Sequence, residues 1–392
     1  MRRTSLIALV LAAASLVWAR YEFFTPKGSF AVEVSLDNAP YLRLPIYRNA
    51  ITSLEVIGDY AIGGTSAESG LRPFLFAVSL SKRKLEIVYP LEKTIPGQRA
   101  IQSGFGRGAD GTLYAGTMPD RPGESGHLIA VRVKAGAIDV IDLGVPVKGE
   151  GVFTLTFDPK AGALYGISHP SGKFFVSRPN GGAAEVYEQT APNRRGFSFL
   201  HEYALEPADV LSRRLAIDRS GRVYGSMPAN KLFRFDSAAK KVDVLPDPLP
   251  EVWGRSPLGR VDAWAVASDG TLYGGNAGDG QLFKLDPATG KVTNLGKAIM
   301  MPRLKGIVFA RDGRLYGIAG GAPGYSHLFS YSPSEGYRDL GNPRFPMVEP
   351  DLEQEIPWRG FQLGTLAVSE DGRYVVMGEE EALSQLMVFP VE

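Results

Sequence analysis

One unit of sequence recurs along this chain, and it restricts the fold more than any other feature. Its clearest copy runs Asp269-Gly-Thr-Leu-Tyr-Gly274, then Gln281-Leu-Phe-Lys-Leu-Asp-Pro-Ala-Thr-Gly290, then Lys291-Val-Thr-Asn-Leu-Gly296. The first part returns as Asp110-Gly-Thr-Leu-Tyr114, Gly162-Ala-Leu-Tyr-Gly166, Ser220-Gly-Arg-Val-Tyr-Gly225, Asp312-Gly-Arg-Leu-Tyr-Gly317 and Asp371-Gly-Arg-Tyr374. The second returns as His127-Leu-Ile-Ala-Val131, Lys173-Phe-Phe-Val176, Lys231-Leu-Phe-Arg-Phe235, His327-Leu-Phe-Ser-Tyr331 and Gln385-Leu-Met-Val-Phe389. Asp-Gly between alternating apolar and polar runs is a hairpin signal. Four short strands in a unit repeating every roughly 40 to 60 residues predict the blades of a β-propeller. A parallel β-helix is disfavoured because its repeats are shorter.

Seven units follow, with inner strands starting near Ile51, Ile101, Val152, Leu211, Val261, Leu304 and Leu363. The fold class is therefore all-β, a seven-bladed propeller of four-stranded blades. The last unit stops at its third strand, Val388-Phe-Pro-Val-Glu392. An open edge is costly, so the missing strand is expected from Ser29–Leu36 or Tyr41–Tyr47, completing the last blade.

The N-terminus reads as a signal peptide: Arg2 and Arg3, an apolar run from Leu6 to Val17, and a small-residue cleavage site ending at Ala19. The domain expectation is a signal peptide over 1–19 and a single propeller over 20–392, exported to the periplasm or the cell exterior. No later stretch reaches the roughly 18 apolar residues of a membrane span, so no membrane association is expected once the leader is removed. With no cysteine in the chain, disulfides, thiolate metal sites and thiol nucleophiles are excluded. The formal net charge of +1 argues against a whole-surface electrostatic partner such as nucleic acid. The chain is read as a monomer.

Aligning the units on the Leu-Tyr-Gly core exposes two rows on the inner strands. Leu54, Phe105, Leu155, Leu215, Trp264, Ile307 and Leu366 are all apolar and are expected to pack between blades. The row one residue earlier must point the other way, toward the axis. It reads Ser53, Gly104, Thr154, Arg214, Ala263, Gly306 and Thr365. Six are small, as a crowded axis requires; Arg214 is the exception. It is expected to receive a carboxylate or another anion, with an internal ion pair to Asp262 or Glu150 as the structural alternative.

Long connections gather on the face where the inner strands begin. They carry His169, His201, Tyr203, Trp253 and Trp358, while Arg213, Arg260, Arg303 and Lys305 lie at the starts of inner strands. Each has a plainer reading: the tryptophans would pin their loops, and a loop histidine is more often structural than catalytic. His127 and His327 share a row with lysines and glutamines, so they are read as structural or solvated. No Gly-x-Ser-x-Gly elbow, His-Glu-x-x-His helix or P-loop is present.

The Asp-Gly-x-Leu-Tyr-Gly and x-Leu-Phe-x-Leu-Asp-Pro-x-Thr-Gly repeat resembles that of bacterial secreted propellers. Among these, the chain is compared with the ulvan-lyase-like polysaccharide lyases, which are seven-bladed. That resemblance implies an arginine neutralising a uronate carboxylate, matched by Arg214. It also implies a histidine and a tyrosine moving protons, matched by His169 or His201 and by Tyr203. Arg213, Arg260, Arg303, Lys305, Trp253 and Trp358 would then hold an acidic polysaccharide or oligosaccharide. The expected activity is β-elimination without a resident cofactor. Two alternatives stand beside it. One is a non-catalytic glycan- or protein-binding propeller. The other is a metal-dependent lactonase or hydrolase with a channel-mouth cation held by Glu150, Asp262 and Asn276.

Overall fold

The computed structural model describes residues 25–34, 49–67, 72–102, 104–134, 136–187, 195–197, 202–204, 207–228, 230–251, 259–321, 326–342, 344–346, 358–360, 362–380 and 385–392, with 195–197, 202–204, 207–208 and 358–359 described by backbone alone. The expected leader over 1–19 lies outside them. Seven blades of four antiparallel strands form the ring; six are separate four-stranded sheets, and the first is extended to six strands by Gln98–Ala100 and Met118–Pro119. Their inner strands are Asn49–Ile57, Gly106–Arg107, Gly151–Asp158, Ala216–Ile217, Val261–Val266, Leu304–Phe309 and Leu363–Val368; the blades are numbered 1 to 7 in that order.

The expected closure is present. Phe30–Glu33 pairs antiparallel with Gln385–Pro390, setting Phe30 opposite Val388 and Glu33 opposite Gln385. The N-terminal strand thus supplies the outer strand of blade 7. Its Ala31 amide also bonds the carbonyl of Pro346 at 2.8 Å.

The repeat signature has a packing cause. In blades 1, 3, 4, 5 and 6 the glycine of the second strand sits directly opposite a phenylalanine of the third: Gly63 and Phe76, Gly166 and Phe175, Gly225 and Phe233, Gly274 and Phe283, Gly317 and Phe329. A methyl group on any of these glycines would overlap the ring opposite. Blade 2 makes the complementary substitution, with Ala115 opposite Ile129. Gly274→Ala should therefore destabilise the fold by about 1–3 kcal/mol, because Phe283 is held edge-on by Trp264 with ring centroids 5.4 Å apart and cannot retreat. Urea unfolding of the variant checks this; an unchanged midpoint would contradict it. The Asp-Gly turns are equally specific. Gly270 adopts φ +95° while the Asp269 carboxylate accepts the Thr271 amide at 2.8 Å.

The apolar inner-strand row does what its pattern requires. Seven hydrophobic clusters lie between adjacent blades, and each receives one member: Leu54, Phe105, Leu155, Leu215, Trp264, Ile307 or Leu366. The inner strands of blades 2 and 4 pair with their own second strands only at Gly106–Arg107 and Ala216–Ile217. Upstream their backbones turn sideways. The Ile101 amide bonds the carbonyl of Thr65 in blade 1, and the Arg213 amide bonds Val261 in blade 5.

Candidate functional site

The inner strands carry a feature that alternation does not foresee. In blades 1, 3, 5, 6 and 7 the pairing register slips just before the axial row, at Thr52, Phe153, Asp262, Lys305 and Gly364. Such a β-bulge inserts one residue and re-aims its neighbours. As a result Asp262 and Lys305 line the channel together with Ala263 and Gly306, their successors in sequence.

Arg214 faces the axis, as its row requires. Its guanidinium crosses from blade 4 to blade 2 and lies against Gly104, where a single methyl group would overlap Nη1. It lines two spaces. Above it, toward the starts of the inner strands, a space of only about 20 Å³ is bounded by Thr52, Arg213, Asp262, Lys305, Thr365 and Glu380. That holds about one water molecule. Below it lies a cavity of about 230 Å³, walled by Phe105, Leu155, Trp264, Ile307 and Val308 among others. Among the described residues the Arg214 guanidinium has neither a hydrogen-bond partner nor a carboxylate within 4.0 Å. Burial pulls its pKa down, opposed at longer range by the Asp262 and Glu55 carboxylates.

The upper space is narrow because charges fill it. Glu380 accepts short ion-pair contacts from both Arg213 and Lys305. Asp262 takes Arg260 at 2.9 Å and lies 3.8 Å from Arg213. Arg260 also donates to the backbone carbonyl of Asp209 at 2.6 Å. Burial raises the pKa of Glu380 and the two cations, Arg213 and Lys305, lower it by more, leaving it well below the ordinary carboxylate range. Four cations thus meet two interior carboxylates, and only Arg214 among those cations lacks a direct carboxylate partner among the described residues.

Glu55 faces the same lower cavity. It belongs to the next axial row, which reads Glu55, Gly106, Thr156, Ala216, Ala265, Val308 and Ala367. Burial in the channel raises its pKa from 4.5 to about 7, against the attraction of Arg107 and Arg214. No described cation comes within 4.0 Å of its carboxylate. The sequence reading passed over it. The signal that singled out Arg214, one charge in a row of small residues, was present two positions further along blade 1.

The remaining candidates disperse. His169 lines a separate cavity of about 240 Å³ on blades 2 and 3, with Met118, Pro119, Arg121 and Pro170, and its ring stacks on Phe153 at 5.8 Å. That cavity shares no lining residue with either space around Arg214. His201 and Trp253 lie outside the described residues. Tyr203 falls in Glu202–Ala204, which pairs with Arg195–Phe197, and Trp358 in Trp358–Arg359, which pairs with Arg344–Phe345. Arg213, Arg260 and Lys305 are engaged in the ion pairs above, and Arg303 donates to Gln362 at 3.0 Å. His127 and His327 bond Asp142 at 3.0 Å and Asp339 at 3.1 Å, consistent with structural roles. Of the residues considered for a cation, Glu150 accepts from Ser168 and Ser171, each at 2.6 Å. Asn276 donates to Pro250 at 2.9 Å, and Asp262 is tied to Arg260. No group of three or more metal-ligating side chains gathers among the described residues.

No protein-family model matches the chain, and no curated protein sequence matches it. Solved structures do. A virginiamycin B lyase from Staphylococcus aureus aligns with a TM-score of 0.59 over 93% of this chain and 100% of its own, at 11% identity. The RRP9 WD40 repeats align at 0.57 over 88% and 95%, at 12% identity. A chain of the mitotic checkpoint complex aligns at 0.56 over 96% and 94%, at 15% identity. At such identities the likeness is one of fold: the chain is a seven-bladed β-propeller, an architecture shared by a lyase and by WD40 proteins.

Proposed function

We propose that this protein is a binding propeller whose central channel takes a ligand carboxylate on Arg214. The observation that carries the reading is the contrast within the channel. Arg213, Arg260 and Lys305 contact interior carboxylates, whereas Arg214 reaches across the axis beside a cavity with no such partner in range. A charge-assisted, bidentate contact is what a planar guanidinium offers an incoming carboxylate. Titration calorimetry against uronate oligosaccharides and simple carboxylic acids tests it. Arg214→Met should weaken binding about 10- to 100-fold, as expected for a lost charged hydrogen bond. Gly104→Ala should weaken it too, by displacing the guanidinium. Binding indifferent to both substitutions would overturn the reading.

Glu55 favours a second reading, cleavage of a uronate glycan by β-elimination. A carboxylate poised near neutrality in the same cavity is suited to take a proton. The C5 proton would pass to Glu55, Arg214 would offset the developing charge on the uronate, and the C4–O bond would break with the leaving oxygen taking a proton from water or back from the protonated Glu55. This gives the base role expected of His169, His201 or Tyr203 to a different residue. Elimination would raise ultraviolet absorbance through the unsaturated product, and Glu55→Gln would abolish that rise. A flat absorbance trace with a bound glycan leaves the binding reading alone.

A further inference from the structure

Arg214 and Glu55 bear opposite charges and line one cavity, yet they form no ion pair with each other or, among the described residues, with anything else within 4.0 Å. Two opposite charges lining one open-mouthed cavity without pairing match a ligand carrying both complements. The rest of the lining is mixed and more polar than apolar: Thr156, Asp262 and Lys305 stand beside Phe105, Leu155 and Trp264. The volume of about 230 Å³ lies below the roughly 300–1,000 Å³ of sites for drug-sized molecules. It suits a ligand the size of one residue.

We propose that the lower channel is a receptor for a small zwitterion, a free α-amino acid. Arg214 takes the carboxylate and Glu55 takes the ammonium. This rests on the reading that Arg214 binds a carboxylate, and adds the second charge to it.

The sign of the pH dependence separates the two. Around Glu55 stand Arg107 and Glu370, which pair with each other, Arg214, and Asp262 and Lys305, each held in its own ion pair. Glu55 is the group that titrates near pH 7. An ammonium binds its ionised form, so amino-acid affinity rises between pH 6 and pH 8. A ligand with a carboxylate alone meets a new negative charge in that window, so its affinity falls.

The test is calorimetry with leucine, N-acetylleucine and leucinamide at both pH values. Leucine should bind at least tenfold more tightly than either analogue at pH 8, and more tightly there than at pH 6. Glu55→Gln should reduce leucine to the level of N-acetylleucine, and Arg214→Met to that of leucinamide. If N-acetylleucine binds the unmodified protein as tightly as leucine, the zwitterion proposal fails and the carboxylate reading stands. If neither binds, the zwitterion proposal fails, and the carboxylate reading is decided by the uronate titrations. The ligand comparison on the unmodified protein decides the matter whether or not the variants fold.

Discussion

Removing residues 1–34 should abolish the cooperative unfolding transition of this protein. Phe30, Val32 and Val34 are all buried, and they pack in one cluster with Ile51 and Leu54 of blade 1 and Leu386 and Val388 of blade 7. Burying three such side chains contributes about 5–9 kcal/mol together. That approaches the entire net stability of a typical domain, about 5–15 kcal/mol. The loss also exposes the backbone of Gln385–Pro390 as an open edge, which invites pairing between molecules. Calorimetric scanning and size-exclusion chromatography of the truncated chain should show no sharp transition and an aggregated profile. A peptide covering residues 25–34, added in excess, should bind and restore part of the transition. A truncated chain melting like the intact protein would show that the ring closes by other contacts.

That closure was legible because it needed only a count. Seven units, a final unit short of one strand and an alternating apolar segment near the N-terminus leave one economical solution. The inner strands of blades 2 and 4 were less legible. Their starting residues look like those of the other blades, but Ile101 and Arg213 direct their amides to neighbouring blades, a long-range choice that no local pattern records. The axial row was readable and led to Arg214. The channel-facing position of Asp262 and Lys305 did not follow from alternation, because they reach the channel through a slip in register. A bulge is defined by its partner strand, so alternation read along one strand puts the inserted residue and its successor on opposite faces, whereas here both line the channel. His169 and Arg214 were grouped because their loops share an end of the ring, yet an end of a propeller is wide enough to hold separate cavities.

Glu380→Gln should cost about 3–5 kcal/mol of stability, the usual consequence of removing one partner from a buried charge cluster. Lys305 is nearly inaccessible and both it and Arg213 lean on this one carboxylate, so its loss leaves two cations facing each other across a space the size of a water molecule. Asp262, already committed to Arg260, offers Arg213 only a contact at 3.8 Å. The effect should depend on pH with a definite sign. Glu380 is held far below its unfolded value, so its contribution is fully present above about pH 4.3 and disappears as the solution is acidified below that. Denaturant titrations at pH 7 should therefore show the full deficit of the variant, and titrations near pH 3 a smaller one. Adding Lys305→Met to the variant should recover part of the loss at pH 7, because it removes one stranded charge and leaves an apolar side chain of similar length. Equal deficits at both pH values would place the cost in packing instead of charge, and the plug above Arg214 would then owe its stability to shape.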